Sequence, residues 1–236
     1  MSAKRKIKTT KLDIIHSALK YFMNIGYSAT SPRMVCDELD ISTGNITYYF
    51  PTKEHLLAEL TGMLCDFQWK LMDEEADEGI SSLLAVCLEF AVTAASCEDD
   101  EIAKDFYVSA YTSPVCLGII RKNDMVRAKQ VFGQYCPQWN DGQFAAAEML
   151  VSGIEYAAFV TDGRDVPLEM RITTALDTIM SIYCIPQEVR RIKIEKVLSR
   201  DYHSLARSVL QRFRGFIEQQ NEEARKQLIE SKNKTV

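Results

Sequence analysis

The stretch from Ser31 to Lys53, SPRMVCDELDISTGNITYYFPTK, limits what this chain can fold into more than any other part of it. It reads as two short helices joined by a tight turn, then the start of a longer helix. Ser31 is placed to cap the first helix. Pro32 follows at the first helical position, where a missing N–H costs nothing. Val35 and Leu39 share a face. Asp40 falls where the chain must turn, and Asp tolerates left-handed backbone better than most residues. Ile41 is an apolar plug between the helices. Ser42 is placed to cap the second, and Ile46 and Phe50 give it an inward face.

What that second helix turns outward is Thr43, Gly44, Asn45, Thr47, Tyr48 and Tyr49. A helix that serves stability alone normally carries Glu and Lys outside. Short amide and hydroxyl groups suit base edges and phosphates. Thr43, Gly44, Asn45 and Thr47 are expected to approach bases, and Gly44 lets the backbone come close. Ser31, Arg33, Ser42, Tyr48, Tyr49 and Lys53 are expected at phosphates. Lys53 sits in the first turn of the following helix, with Thr52 as cap. A cation there is poor for stability but fits a bound phosphate. On that reading Lys53→Ala lowers the salt slope of binding by about one unit.

The stretch GNITYYFPTKEHLLAEL resembles the recognition-helix signature of the tetracycline-repressor (TetR) family, G-T-L-Y-Y-H-F-x-S-K-E-x-L. Gly44, Tyr48, Phe50, Lys53, Glu54 and Leu56 match by spacing and type. Thr47 stands where the family often has Tyr, and Asp40 where it often has Gly. The likeness covers roughly the first 60 residues. It implies a transcriptional regulator, a repressor released by a small-molecule ligand, on an all-α fold. That fold has a three-helix DNA-binding domain over 1–51 and a larger helical regulatory and dimerisation bundle over 52–236. A C-terminal helical extension begins at about 186.

The rest of the chain is consistent with this. Helices are expected at 9–25, 52–76, 80–97, 99–112, 114–136, 141–162, 166–184, 187–199 and 201–230, with no period-two segment to make a sheet. Leu12, Ile15, Leu19 and Phe22 face inward from the first, together with Met34, Val35, Leu39, Ile41, Ile46 and Phe50. His16 is expected to have no partner. Net charge is −5, which by itself speaks against nucleic acid, but the distribution is uneven. Lys4, Arg5, Lys6, Lys8 and Lys11 lead the chain with no acid among them, whereas 66–105 is strongly acidic, as expected of a DNA-binding end on an acidic body. The basic residues between Arg190 and Arg214 read as a solvated face interleaved with Glu188 and Glu195.

Seven cysteines, with no C-x-x-C, read as buried thiols in a reducing cytoplasm, and no metal, cofactor or membrane span is expected. Enzyme motifs are missing too: there is no phosphate loop, no H-E-x-x-H and no G-x-S-x-G. One short recognition helix touches few base pairs, so a homodimer on a palindromic DNA operator is expected. The resemblance places its interface on the last two helices of the body, at Met149, Gly153, Tyr156, Ala157, Ile172, Ala175, Leu176 and Ile179. Phe90, Phe106, Tyr107, Tyr111, Phe132 and Tyr135 are candidates for lining a ligand pocket. A DNA-bound protein-interaction module without a small-molecule inducer is the alternative, and a body with no enclosed cavity would favour it.

Overall fold

The computed structural model describes residues 10–77 and 82–233, apart from the side chains at 228, 229 and 231–233. The basic residues from Lys4 to Lys8 and the Gly79 break lie outside the described residues. Eleven helices and no strand are present among the described residues. They are α1 (Lys11–Ile25), α2 (Pro32–Leu39), α3 (Thr43–Tyr49), α4 (Lys53–Ala76), α5 (Leu83–Asp99), α6 (Glu101–Thr112), α7 (Pro114–Phe132), α8 (Asp141–Val160), α9 (Leu168–Ile182), α10 (Gln187–Leu198) and α11 (Tyr202–Asn233). The all-α expectation holds, and most boundaries move by one to three residues. The helix expected to reach 136 stops at Phe132, because Gly133 to Trp139 runs through successive turns.

α1 starts on a capping box. Thr10 accepts from the Asp13 N–H, and the Asp13 carboxylate accepts from the Thr10 N–H at 2.7 Å. Its inward face is Ile14, Ile15, Ala18, Leu19 and Phe22, all buried against Val35, Ile46 and Phe50. Met34, Leu39 and Ile41 sit half-buried at the rim of this small core. Asp40 adopts φ 51°, ψ 52°, and the Ile41 N–H reaches Cys36 O at 3.1 Å, so the turn between α2 and α3 is left-handed as its sequence requires. The hydroxyl caps are a correction. Ser31, Ser42 and Thr52 stand at the expected N-cap positions without a side-chain capping bond. Ser42 instead donates to Asn45 Oδ1 at 2.7 Å, and Thr52 meets His55 Nδ1 at 2.9 Å.

α5 is the axis of the body. Nearly every residue from Leu83 to Cys97 is buried, as its almost continuous apolar sequence demands. The helices α4, α6, α8, α9, α10 and α11 pack around it, and α7 lies against α4, α6 and α8. The expectation for α9 is corrected here. Ile172, Ala175, Leu176 and Ile179 are buried within this one chain, at 6% exposure or less, and cannot also form a surface between two copies.

The extension does more than cover the body. α11 packs along α5 through Val209, Phe213 and Ile217, all fully buried, and then runs onto α1. There Arg225 pairs with the buried capping carboxylate Asp13 at 2.7 Å. His16, expected to stand alone, lies 3.4 Å from Glu218. The basic cluster is only partly a solvated face. Arg191 bonds Glu188 and Glu195 on its own helix, as expected. Arg190 instead pairs with Asp177 of α9, and Arg200 donates to the carbonyls that end α4, at Glu75 and Ala76.

α6 ties the N-terminal unit to the body. The Asp105 carboxylate accepts from the backbone N–H of Ser28 at 2.7 Å and from its hydroxyl. Gly26 makes this possible, because it has φ +91° and an added Cβ would sit 2.7 Å from Asp105 Oδ2. Gly26→Ala is therefore expected to cost about 1–3 kcal/mol, read as a lowered melting temperature. An unchanged melting curve would show the contact is dispensable.

Candidate nucleic-acid interface and inner cavity

α3 presents two faces of opposite character. Ile46 and Phe50 are 3% exposed, whereas Tyr48 is 81% exposed. Thr43, Gly44, Asn45 and Thr47 are exposed, as are Ser31, Arg33 and Ser42, and Tyr49 is half-buried. These residues therefore share one outer surface of the N-terminal unit, built from the start of α2 and the whole of α3. Thr47 returns its hydroxyl to the carbonyls of Thr43 and Gly44, at 3.2 and 3.3 Å. Such a bond satisfies the donor while leaving the oxygen open to accept. Tyr48 stands edge-on to Tyr49, ring centroids 4.9 Å apart, which holds both phenols in place.

Lys53 has a different set of partners from those its sequence position implied. Its ammonium donates to the carbonyls of Tyr27 and Thr30, at 2.9 and 3.0 Å, and lies 4.1 Å from the centre of the Tyr27 ring. The lysine closes the 27–30 loop onto the start of α4. Two of its three protons are used inside the protein.

A second site lies within the body. A cavity of about 100 Å³, partly open to solvent, lies among α4 to α9. Phe90, Phe106, Tyr107, Tyr111 and Phe132 line it, as expected, and Tyr135 does not. Leu176 and Ile179 are on its wall as well, which is where these two residues of α9 are used. The aromatic groups were visible as a scattered set in the sequence. Four acids on the same wall were not: Glu89, Asp124, Glu148 and Glu155 come from three separate helices with no common spacing.

Burial dominates the chemistry of these acids. It raises the Asp124 and Glu155 carboxyls well above the usual range, and neighbouring carboxylates push the same way. Burial also raises Glu148 to about 7, against a bond from the Tyr183 hydroxyl that lowers it. Tyr111 donates to Glu155 Oε2 at 2.9 Å. Glu89 is paired with Arg127, whose guanidinium lies 4.9 Å from the centre of the Trp69 ring. No group of histidine, cysteine and acid among the described residues has the arrangement of a metal site. No helix among them is long and apolar enough to cross a membrane.

Residues 14–60 match the family model of bacterial regulatory proteins, tetR family. Salmonella enterica GusR is similar in fold at 18% identity and a TM-score of 0.47, over 76% of this chain and all of that one. A gamma-butyrolactone receptor (ArpA like protein) is similar at 17% identity and a TM-score of 0.43, over 86% of this chain and 96% of that one. No curated protein matches the chain.

The raised carboxyls set the pH dependence of stability. A carboxyl whose folded value is raised stays protonated in the fold while the unfolded chain ionises. Stability is then full below the unfolded value, about 4.3, and falls as pH rises toward the folded one. For Glu148 that window closes near pH 7. The melting temperature is expected to drop between about pH 5 and pH 8. Glu148→Gln and Glu155→Gln should each flatten the drop, raising the melting temperature at pH 8 more than at pH 5. Parallel curves for wild type and both variants would remove these groups as its cause.

Proposed function

We infer the function of this chain from one premise: it is a DNA-binding regulator of the tetR family, by the match over residues 14–60. We propose that it acts as a homodimer on a palindromic operator and releases it when a small molecule enters the body. The observation that carries this is the outward polar face of α3, with Tyr48 at 81% exposure beside a fully anchored Ile46 and Phe50. Thr43, Gly44, Asn45 and Thr47 approach base edges in the major groove. Ser31, Arg33, Ser42, Tyr48 and Tyr49 hold phosphates.

The dimer face rests on α8. Met149 and Leu150 are each 53% exposed, Tyr156 is 37% exposed, and Gly153 and Ala157 lie open between them. Nothing lies within 4 Å of a Cβ built on Gly153, so close approach by another helix is open there. Met170 at the start of α9 adds to the same apolar surface, at 58% exposure. Supporting the ligand-released reading over an interaction module is the cavity inside the body, together with its link to the N-terminal unit. Phe106 lines the cavity and also packs on Phe22 of α1, ring centroids 6.5 Å apart. Its neighbour Asp105 holds Ser28. A ligand that moves α6 moves both contacts. A tenfold loss of DNA affinity needs only about 1.4 kcal/mol of differential binding to the two states.

Selection of bound DNA from a random pool tests the reading directly: a palindrome is expected, and its half-sites should lie one helical turn or a multiple apart. Recovery of unrelated sequences would sink it. On the selected site, Thr47→Ala and Asn45→Ala should each cost about 1–3 kcal/mol and relax preference at one position of each half-site. Lys53→Ala should weaken binding to all sequences through the loosened 27–30 loop. It should lower the melting temperature and leave the salt slope nearly unchanged. A slope reduced by about one unit with full stability would return Lys53 to the phosphates. Gly153→Arg should give monomers by light scattering and lose the palindrome.

A further inference from the structure

The walls of the inner cavity carry more acids than bases. Arg127 of α7 is the guanidinium on the wall, and Glu89 of α5 is paired with it. Three further carboxyls face the same space: Asp124 from α7, and Glu148 and Glu155 from α8. Among the described residues no salt bridge neutralises Asp124, Glu148 or Glu155. Arg121 lends Glu148 some positive potential but donates its Nε to Ser152 at 2.9 Å. The tyrosines of the wall do not supply a cation either. Tyr111 and Tyr183 give their hydroxyl protons to Glu155 and Glu148.

Independently of the acids, Tyr107 on α6 points to a missing partner. It is 5% exposed and lines the cavity, and its hydroxyl makes no well-formed hydrogen bond, the Thr93 side chain being the polar group beside it. A buried hydroxyl left unpaired forgoes the hydrogen bonds it had in water, so such groups normally have a partner to bond. The remaining wall is aromatic. Phe90 and Phe159 lie 5.6 Å apart, and Tyr111 stands edge-on to Phe159 at 5.4 Å.

We propose that this cavity is the effector site and takes a small organic cation, an ammonium group carried on an aromatic or apolar body. This rests on the ligand-released reading above and names the chemical class of its ligand. The ammonium meets Asp124 and Glu155, the ring faces add cation–π attraction, and the body fills the apolar remainder. An anion would find Arg127 Nε and Nη2 without a partner, but Glu89 already neutralises that guanidinium and three further carboxyls face the same space. A purely apolar guest would leave Tyr107 and the acids unpaired.

Binding carries a proton cost of known sign. The carboxyls of the empty cavity are held protonated by burial, so an arriving ammonium, keeping its own proton, displaces one from a carboxyl into solvent. The carboxylate then pairs with the ammonium. Affinity therefore rises with pH through about 8, the Glu155 range, while the amine, with a pKa near that of Lys at about 10.4, stays charged. The thiol of Cys65 on α4 is also on this wall, but burial raises it further, so it stays neutral throughout.

Three probes of one shape decide the matter: 2-phenylethylamine, 2-phenylethanol and phenylacetate, titrated calorimetrically into the full chain at pH 6.5 and 8.5. The amine is expected to bind at least about tenfold tighter than the alcohol, and the carboxylate more weakly than either. Amine affinity should be higher at pH 8.5, and two buffers of different ionisation enthalpy should report net proton release at the lower pH. Glu155→Gln and Asp124→Asn should each erase most of the preference for the amine while leaving alcohol binding intact and the melting temperature no lower than that of the wild type. Equal affinities, a preference for the alcohol or the anion, or no binding by any of the three overturns the proposal. The same preparation is used in the DNA selection. A palindrome without amine binding sinks only the cation, whereas amine binding without a palindrome sinks the regulator and its effector together.

Discussion

Asp105 and Phe106 are adjacent on α6, and between them they join the two halves of this protein. The carboxylate holds the Ser28 amide, while the ring packs on Phe22 and also forms part of the cavity wall. The loop they grip, from Gly26 to Thr30, is in turn locked to α4 by Lys53. The orientation of α3 therefore depends on α6 through two direct contacts, one polar and one apolar. A small displacement of α6 cannot be absorbed silently, because Gly26 leaves no slack against Asp105.

The second constraint is the buried acid in the body. Glu148 is buried and Asp124 and Glu155 are half-buried on the cavity wall, and desolvation raises all three carboxyls above the usual range. Local rules are broken most often at functional sites, where stability is given up for binding. Stability and the proposed binding of a cation draw on the same groups: conditions that ionise the acids weaken the fold and would ready the cavity for a positive charge. α11 adds a counterweight, since its salt bridge to Asp13 and contact with His16 hold α1 from the other side.

Much of the N-terminal unit was legible because its signals are local. The period of Ile15, Leu19 and Phe22, the left-handed turn at Asp40 and the split character of α3 all follow from spacing within a dozen residues. The expectation failed at the caps of Ser31, Ser42 and Thr52, where the side chain chose another neighbour within reach. Nor did the sequence show the partners of Lys53 within the protein, because Tyr27 and Thr30 are more than twenty residues away. On α8 and α9 the small and apolar residues were visible, but not which of them face out. Burial in the monomer separates Met149, Gly153, Tyr156 and Ala157, left open, from Ile172, Ala175, Leu176 and Ile179, enclosed.

By itself the sequence determined the helical class, the helix-turn-helix and the chemistry of its outer face, because each depends on side chains three or four positions apart on one helix. Only the tertiary structure decided that Glu89, Asp124, Glu148 and Glu155 share one cavity, that Phe106 reaches both that cavity and α1, and that the last helix returns to brace the first. Those are meetings between helices, set by packing angles and by side chains distant in the chain. No periodicity within a single segment carries that information.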